Sequence, residues 1–516
     1  MSKDQDKRRD ADDVGGFLRG VERVGNALPH PAILFVMFAV LVIIASAVFN
    51  GTTVDFYDAR ADEMVTVAVE SMLNLDGLRY IFENLTENFI GHPALGTIIV
   101  AMLGVGIAEK TGLINTTLKK MMSDVDDRVM TAVVIFAGIM SNIASDAGYV
   151  VVIPLGAVIF ANAGRHPIAG LAAAFAGVSA GFSANLIIGT TDPLLAGISN
   201  TALQGANIDM EVLATDNWYF MFVSTFLLVA VGTYVTDRVV EKNLGTYNGT
   251  FVRDEGEITE VEEKGLKRAG IAMLIYVAIM IALVAPANGP LRSAEMVDGV
   301  EMMTVSGFLR ESLIPAILFL FAIPGTVYGF TTGVIKDSHD LIDTMVEAMK
   351  DMGNLLVLVF FLAQFVDYFK HTNLGTVISV NGAAFLEGLG ITGLPLIVGF
   401  VFLSAFINLF MGGASSKWAI MAPIFLPMMY KLGLSPALTQ VAYRIGDSTT
   451  NVITPLMSYF AMIVVFAQDY DREAGLGTLI STMLPYTVYF LISWTILLVV
   501  WYVFNLPLGP GAFMLV

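Results

Sequence analysis

Cysteine is missing from all 516 residues, histidine occurs only five times, and charged residues make up no more than 14% of the chain. The lack of cysteine removes disulfides, thiolate metal centres and cysteine nucleophiles from consideration. The five histidines, at positions 30, 92, 166, 339 and 371, all fall near predicted loops or membrane edges, a pattern that argues against a haem or zinc protein. Basic residues are scarce as well. Lys and Arg number 28 against 46 Asp and Glu, giving a net charge of −18, and so acidic a chain makes a poor partner for nucleic acid. The surplus acid lies in loops such as Asp254-Glu-Gly-Glu-Ile-Thr-Glu-Val-Glu-Glu263 and reads as a solvated surface. No P-loop pattern is present, which removes ATP hydrolysis by that route.

What the chain has in abundance is apolar sequence. Hydrophobic residues reach 56% and mean hydropathy is +0.72, values that support a membrane protein rather than a soluble domain, and its long apolar runs predict an all-α polytopic one. Apolar segments long enough to cross a bilayer fall near 32–50, 93–111, 167–200, 217–237, 268–286, 309–331, 350–370, 436–467 and 481–505. These predict nine transmembrane helices. Ala45-Ser-Ala47 imitates a signal-peptidase site, but the apolar run before it is too long and its charged lead too extended. Residues 32–50 are therefore expected to stay as the first span. Two more apolar pairs, 129–141 with 147–163 and 395–411 with 417–430, have arms too short to cross alone. Each pair predicts a re-entrant hairpin.

Loop charge orients this arrangement. Basic residues cluster before the first span, around Lys119, Lys120, Arg128 and Arg165, between the fourth and fifth spans, and at Lys336 and Arg472. The alternate loops hold few, among them Arg60, Arg79, Arg292 and Lys431. The positive-inside rule then places the N-terminus in the cytoplasm and the C-terminus outside, and the expected location is the cell inner membrane with a periplasmic C-terminus. On this count the first hairpin enters from the cytoplasm and the second from outside, an inverted-topology repeat. The chain divides into a cytoplasmic N-terminal segment (1–31), the first two spans (32–128), the first hairpin and broken helix (129–200), the middle spans (201–394), the second hairpin and broken helix (395–467), and the last span with the external C-terminus (468–516).

The most informative sequence lies where the apolar runs break. The first set of breaks reads Ser141-Asn-Ile-Ala-Ser-Asp-Ala-Gly-Tyr149 and Ser183-Ala-Asn-Leu-Ile-Ile-Gly-Thr-Thr-Asp192-Pro193. The second reads Asn408-Leu-Phe-Met-Gly-Gly-Ala-Ser-Ser-Lys-Trp418 and Arg444-Ile-Gly-Asp-Ser-Thr-Thr-Asn-Val-Ile-Thr-Pro455. Polar backbone at membrane depth is tolerated only where it is buried or lines a cavity. Paired interruptions in two halves of a membrane protein point to a transporter's substrate site. Unwound middles are expected at Asn185–Pro193 and Gly446–Pro455.

The residues in these breaks suggest an ion and an anion. Half-helix N-termini attract anions, while unwound carbonyls with Asn, Ser, Thr and carboxylate oxygens suit a hard cation such as Na⁺. Asn408, Gly412, Asp447 and Asn451 form a candidate oxygen cage, with Asn142, Ser145, Asn185 and Asp192 as its counterpart. The bland alternative is that these groups only satisfy backbone freed by the breaks. Charged side chains this deep are costly and functional by default; here they are Asp146, Asp192, Lys417, Arg444 and Asp447. Arg444 and Asp447, three residues apart, could simply pair, or Arg444 could meet an anionic substrate. Asp192 could exchange a proton or hold a cation, and Trp418 could stack on an aromatic substrate. Gly177-Val-Ser-Ala-Gly181 matches the serine-hydrolase pattern but lies mid-helix with no histidine at its depth. Ser179 is therefore assigned to close helix packing through its flanking glycines.

These same breaks resemble the p-aminobenzoyl-glutamate transporter (AbgT) family over essentially the whole length, most specifically in Gly412-Gly-Ala-Ser-Ser-Lys-Trp418 and Tyr443-Arg-Ile-Gly-Asp-Ser-Thr-Thr-Asn-Val-Ile-Thr-Pro455. The resemblance implies a homodimer of nine-span protomers, each with two hairpins and its own site. It also implies ion-driven transport of p-aminobenzoyl-glutamate, a small anionic aromatic substrate, with efflux of sulfonamide-type antimetabolites in members. Carried onto matching positions, the functional residues would be Asp192, Ser415, Trp418, Pro436, Arg444, Asp447 and Pro455, and a sodium site would fall at Asn408, Gly412, Asp447 and Asn451. The coupling ion, Na⁺ or H⁺, is not fixed by the resemblance, nor is direction. A sodium-coupled dicarboxylate carrier is the related alternative, and an intramembrane serine hydrolase the remote one.

Overall fold

The computed structural model describes residues 29–58, 63–122, 125–126, 128–144, 148–247, 258–297, 300–454, 457, 459–472 and 474–516. Six helices among them are long and apolar enough to cross a bilayer: Pro31–Val48, Trp218–Leu244, Glu260–Val284, Leu313–Thr332, Gly353–His371 and Leu476–Val503. Pro93–Lys110 is a further apolar helix of 18 residues. It meets Leu313–Thr332 so closely that a Cβ on Gly104 would lie 2.2 Å from the Leu318 carbonyl oxygen. Without a hydrophobic drive between helices in lipid, small residues of this kind hold the spans together.

Where the two hairpins are expected, the chain forms pairs of helices separated by a break. The first comprises Met130–Ser141 and, after a break, Gly148–Asn162; the second comprises Gly393–Asn408 and Ala414–Lys431. The hairpin tip residues Ser145 and Asp146 lie outside the described residues. Each hairpin packs on the broken helix that follows it: the first on Pro167–Ala180, the second on Pro436–Thr450. Thr191–Gly205 of the first half also packs along Ala414–Lys431 of the second, so the two halves are joined at their breaks.

The first broken helix runs Pro167–Phe175, continues as a wide turn over Ala176–Ala180, and resumes at Thr191–Gly205. Proline opens it at the first helical position, where its missing N–H is no loss. Asp192 and Pro193, expected in the unwound stretch, instead form the first turn of the resumed helix. In the second broken helix, Pro436–Thr450 stays helical through Gly446 and Asp447, and unwinding begins only at Asn451–Ile453. Gly446 serves close approach, not unwinding: a Cβ there would lie 2.3 Å from the Val401 carbonyl oxygen.

The all-α reading needs an addition. Thr53–Asp58 pairs antiparallel with Glu63–Ala68, and Ser293–Val297 with Val300–Thr304. Both β-hairpins lie in loops between the predicted spans, and the Val65-Thr-Val67 run favours a strand in the first. Leu75–Ile90, Ser338–Asp351 and Leu374–Gly388 are helices lying outside the predicted spans. The last is bent by 117° from Gly393–Asn408 across a short break.

Candidate functional site

Two buried ion pairs organise the region where the breaks meet. Arg444, 1% exposed, directs Nη1 to Asp192 Oδ1 at 2.7 Å. Its Nη2 donates to the Ser183 carbonyl at 3.0 Å. The other Asp192 oxygen accepts the Gly189 N–H at 2.7 Å. A carboxylate from the first half is thus held by a guanidinium from the second. The pairing of Arg444 with Asp447 that the sequence allows is not formed, because the neighbouring half supplies Asp192 on one side and Lys417 occupies Asp447 on the other.

Lys417, with no exposed side-chain surface, places Nζ 2.5 Å from Asp447 Oδ1 and donates to Asn408 Oδ1. Asn408 in turn donates to the Asp447 carbonyl, Thr450 Oγ1 and Asn451 Oδ1 at 2.7, 2.8 and 2.9 Å. Three of the four expected cage residues, Asn408, Asp447 and Asn451, therefore converge. Gly412 stands at the hairpin tip, where its carbonyl accepts the Ser416 hydroxyl at 3.2 Å, and it shares a cavity wall with Asn451. Asp447 Oδ2 is buried without a hydrogen-bond partner. An orphaned carboxylate oxygen beside amide and carbonyl oxygens is donor chemistry that fits a hard cation.

The first-half counterpart is less complete. With its amide turned to satisfy its neighbours, Asn185 donates to the Ala184 and Ile139 carbonyls, each at 3.2 Å. Asn142 donates to the same Ile139 carbonyl at 3.1 Å, and its own Oδ1 is buried without a partner.

The remaining expected residues fall at different depths. Ser415 begins the returning arm of the second hairpin and lines a cavity. Trp418 has no exposed surface. It packs on Tyr443 with ring centroids 4.6 Å apart and donates from Nε1 to Ser199 Oγ at 2.9 Å. Pro436 is buried at the start of its helix, whose first turn is capped by Ser435. Pro455 lies outside the described residues.

Two adjoining cavities, of about 510 and 410 Å³, open between the halves and share Phe182, Ala414 and Ser416 in their walls. The larger is lined by Gly412, Asn451, Tyr149 and Tyr459; the smaller is lined by Thr190, Thr191, Asn354 and Ser415. Tyr149 and Tyr459 stack with centroids 4.6 Å apart and planes 12° apart. Neither tyrosine is among the residues expected at the site, since their stacking joins segments far apart in the sequence. Gly413, at φ 85°, precedes the returning arm without capping it by a side chain. The left-handed turn is open to glycine at little cost, and it leaves the first N–H groups of that helix without intrahelical partners beside both cavities.

Ser179 has no catalytic surroundings. Its hydroxyl meets the Tyr149 hydroxyl at 3.3 Å and the Met457 sulfur at 3.2 Å, neither of which is a general base. The flanking Gly177 packs with its Cβ position 2.4 Å from the Ile135 carbonyl oxygen. Ser179→Ala should fold normally and keep transport activity near that of the parent, measured as substrate uptake into vesicles. Abolished uptake in normally folded protein would contradict the packing assignment.

Spanning helices that enclose broken helices and buried ion pairs define a multi-pass membrane transporter. The sequence pattern of the AbgT transporter family matches residues 16–516, and the chain belongs to this family. It is 38% identical over 493 residues to the p-aminobenzoyl-glutamate transport protein of Escherichia coli (strain K12), a match covering 96% of each chain. The YdaH transporter of Alcanivorax borkumensis, described as having an unusual topology, superposes with a TM-score of 0.86 at 42% identity, over 93% of this chain and 100% of that one. MtrF of Neisseria gonorrhoeae, described as illuminating a class of antimetabolite efflux pumps, gives a TM-score of 0.88 at 46% identity, over 96% of this chain and 100% of that one. The protein is a transporter, not an enzyme.

Proposed function

We propose that this protein is an ion-coupled secondary transporter of p-aminobenzoyl-glutamate or closely related folate catabolites, with sulfonamide-type antimetabolites as a second class of cargo. The observation that carries this reading is the cavity pair between the halves. It sets a stacked tyrosine pair and Phe182 opposite an uncapped helix N-terminus. The aminobenzoyl ring meets Tyr149 and Tyr459, and a glutamate carboxylate meets the first N–H groups and hydroxyls at Ala414–Ser416, where the helix dipole favours an anion. Arg444 takes a second carboxylate when Asp192 gives it up. Ser415 contacts cargo directly, while Trp418, tied to Ser199, holds the hairpin against the first half. Pro436 opens the second broken helix.

Asn408, Gly412, Asp447 and Asn451 hold the coupling cation, which we take to be Na⁺. The protein works as a homodimer in the inner membrane, with nine spans and two hairpins of opposite orientation, its N-terminus cytoplasmic and its C-terminus periplasmic. Basic residues on alternate loops support this orientation. The identity to the Escherichia coli p-aminobenzoyl-glutamate transport protein supports the cargo.

Uptake of labelled p-aminobenzoyl-glutamate into proteoliposomes, under separately imposed Na⁺ and H⁺ gradients, tests the proposal directly. No uptake under either gradient would overturn it. Tyr149→Ala should weaken p-aminobenzoyl-glutamate binding by about 1–2 kcal/mol, the range of a lost aromatic contact with its buried area, whereas Tyr149→Phe should bind as the parent does. Free glutamate, which lacks the ring, should be indifferent to both changes. Equal losses for the two ligands would point to a dicarboxylate carrier instead.

A further inference from the structure

We propose that the Lys417 ammonium is a tethered occupant of the cation site, holding the oxygens of Asn408 and Asp447 whenever a metal cation does not. The inference rests on the sodium-site reading above and adds a residue that reading leaves out. Lys417 is not placed to supply a ligand oxygen; it is placed to compete for them. Its Nζ donates to Asn408 Oδ1 and lies 2.5 Å from Asp447 Oδ1, so it already holds two of the oxygens that a cation would need. Both side chains of the ion pair are buried, at 0% and 1% exposure. Two cations on one carboxylate in so dry a setting repel strongly. A metal cation can settle on Asp447 only if the ammonium withdraws.

The two buried carboxylates differ in how fully their oxygens are satisfied while no metal cation is bound. Asp192 has both oxygens engaged, one by Arg444 and one by the Gly189 N–H. Asp447 has Lys417 and the Tyr443 hydroxyl on Oδ1, while Oδ2 is buried with no partner. An ammonium that leaves half of a buried carboxylate unsatisfied is an imperfect counterion, and the orphaned oxygen is where a better one gains.

Exchange at this site reaches the cargo cavities through a short lever. Lys417 stands in the returning arm of the second hairpin, next to Ser416, which lines both cavities. Displacing the ammonium removes the ionic tie between that arm and Pro436–Thr450, the helix that carries Asp447, and leaves the arm held by Tyr443, through its hydroxyl on the Ala414 carbonyl and its ring on Trp418. Cation occupancy thereby loosens the arm's hold on that helix beside the cavities.

The test uses the full-length purified protein in nanodiscs, titrated with NaCl at constant ionic strength against choline chloride. The readouts are the sodium-dependent rise in thermal unfolding midpoint and the change in tryptophan fluorescence, neither of which needs transport. Lys417→Met should raise apparent sodium affinity by about tenfold or more, because an internal competitor lowers affinity by the fraction of time it holds the site. Lys417→Gln, which keeps a donor for Asp447, should give a smaller gain in the same direction. Adding Asp447→Asn to Lys417→Met should abolish the sodium response. A variant that folds only with sodium present also supports the proposal. If the parent binds sodium and both Lys417 variants bind it equally well or more weakly, the competitor role is overturned while the sodium site stands. If neither the parent nor the variants respond to sodium, both readings are overturned.

Discussion

A protein carrying Asp192→Asn together with Arg444→Gln should insert and purify as a single folded species, yet take up no p-aminobenzoyl-glutamate. The pair is buried and joins the two halves, with Nη1 of Arg444 2.7 Å from Asp192 Oδ1. Removing one partner alone strands a charge in the interior at a cost of about 3–5 kcal/mol, so each single neutral variant should express poorly. Neutralising both avoids that penalty and isolates the role in transport. Were the pair only a tie between halves, the double variant would carry cargo at close to the parental rate. If a substrate carboxylate replaces Asp192 on the guanidinium during the cycle, uptake should fall by about 100-fold or more, as expected for losing a desolvated bidentate contact. Arg444→Lys should also fail, because an ammonium cannot hold Asp192 and the Ser183 carbonyl with one rigid fork. Near-parental uptake by the folded double variant would reduce Arg444 and Asp192 to a structural link.

The positions of the breaks were legible because membrane depth forbids unpartnered backbone. Only clusters such as Asn408–Trp418 can interrupt an apolar run there, and helices end and restart where those clusters lie. The partners within the breaks were not legible. Arg444 and Asp447 are near neighbours on one helix, so sequence spacing favoured their pairing. The choice was decided by which helix approaches each face: Thr191–Gly205 brings Asp192, and the returning hairpin arm brings Lys417. Gly446 shows the same limit. A glycine in a polar run suggests unwinding, yet here it makes room for the Val401 backbone. Nothing in local sequence couples Tyr149 to Tyr459, since their stacking depends on how the two halves meet.

The outer elements were missed for a different reason. Leu75–Ile90 and Ser338–Asp351 mix apolar and charged residues at helical spacing, so neither stands out when only continuous apolar runs are sought. The short strands Thr53–Asp58 and Glu63–Ala68 alternate too briefly to compete with that signal. These elements lie outside the breaks, and the site can be read without them.

Trp418→Ala should be the most damaging aromatic substitution in the transport core, through packing before binding. The indole is fully buried, lies against Tyr443, and donates to Ser199 Oγ, which also receives Gln440 Nε2 at 2.9 Å. Truncation would leave a cavity where the second hairpin meets Thr191–Gly205, at a cost of about 3–5 kcal/mol. Thermal unfolding should show this loss whether or not cargo is present. Trp418→Phe keeps most of the volume and the contact with Tyr443 but gives up the Ser199 hydrogen bond, worth about 1 kcal/mol. It should therefore fold, and it should bind p-aminobenzoyl-glutamate nearly as the parent does, since Tyr149 and Tyr459 line the cavity and Trp418 does not. Binding measured by scintillation proximity on the two variants separates support of the hairpin from contact with the ring. A stable Trp418→Phe protein that still binds glutamate but has lost p-aminobenzoyl-glutamate would place the ring on the indole and remove it from the tyrosine pair.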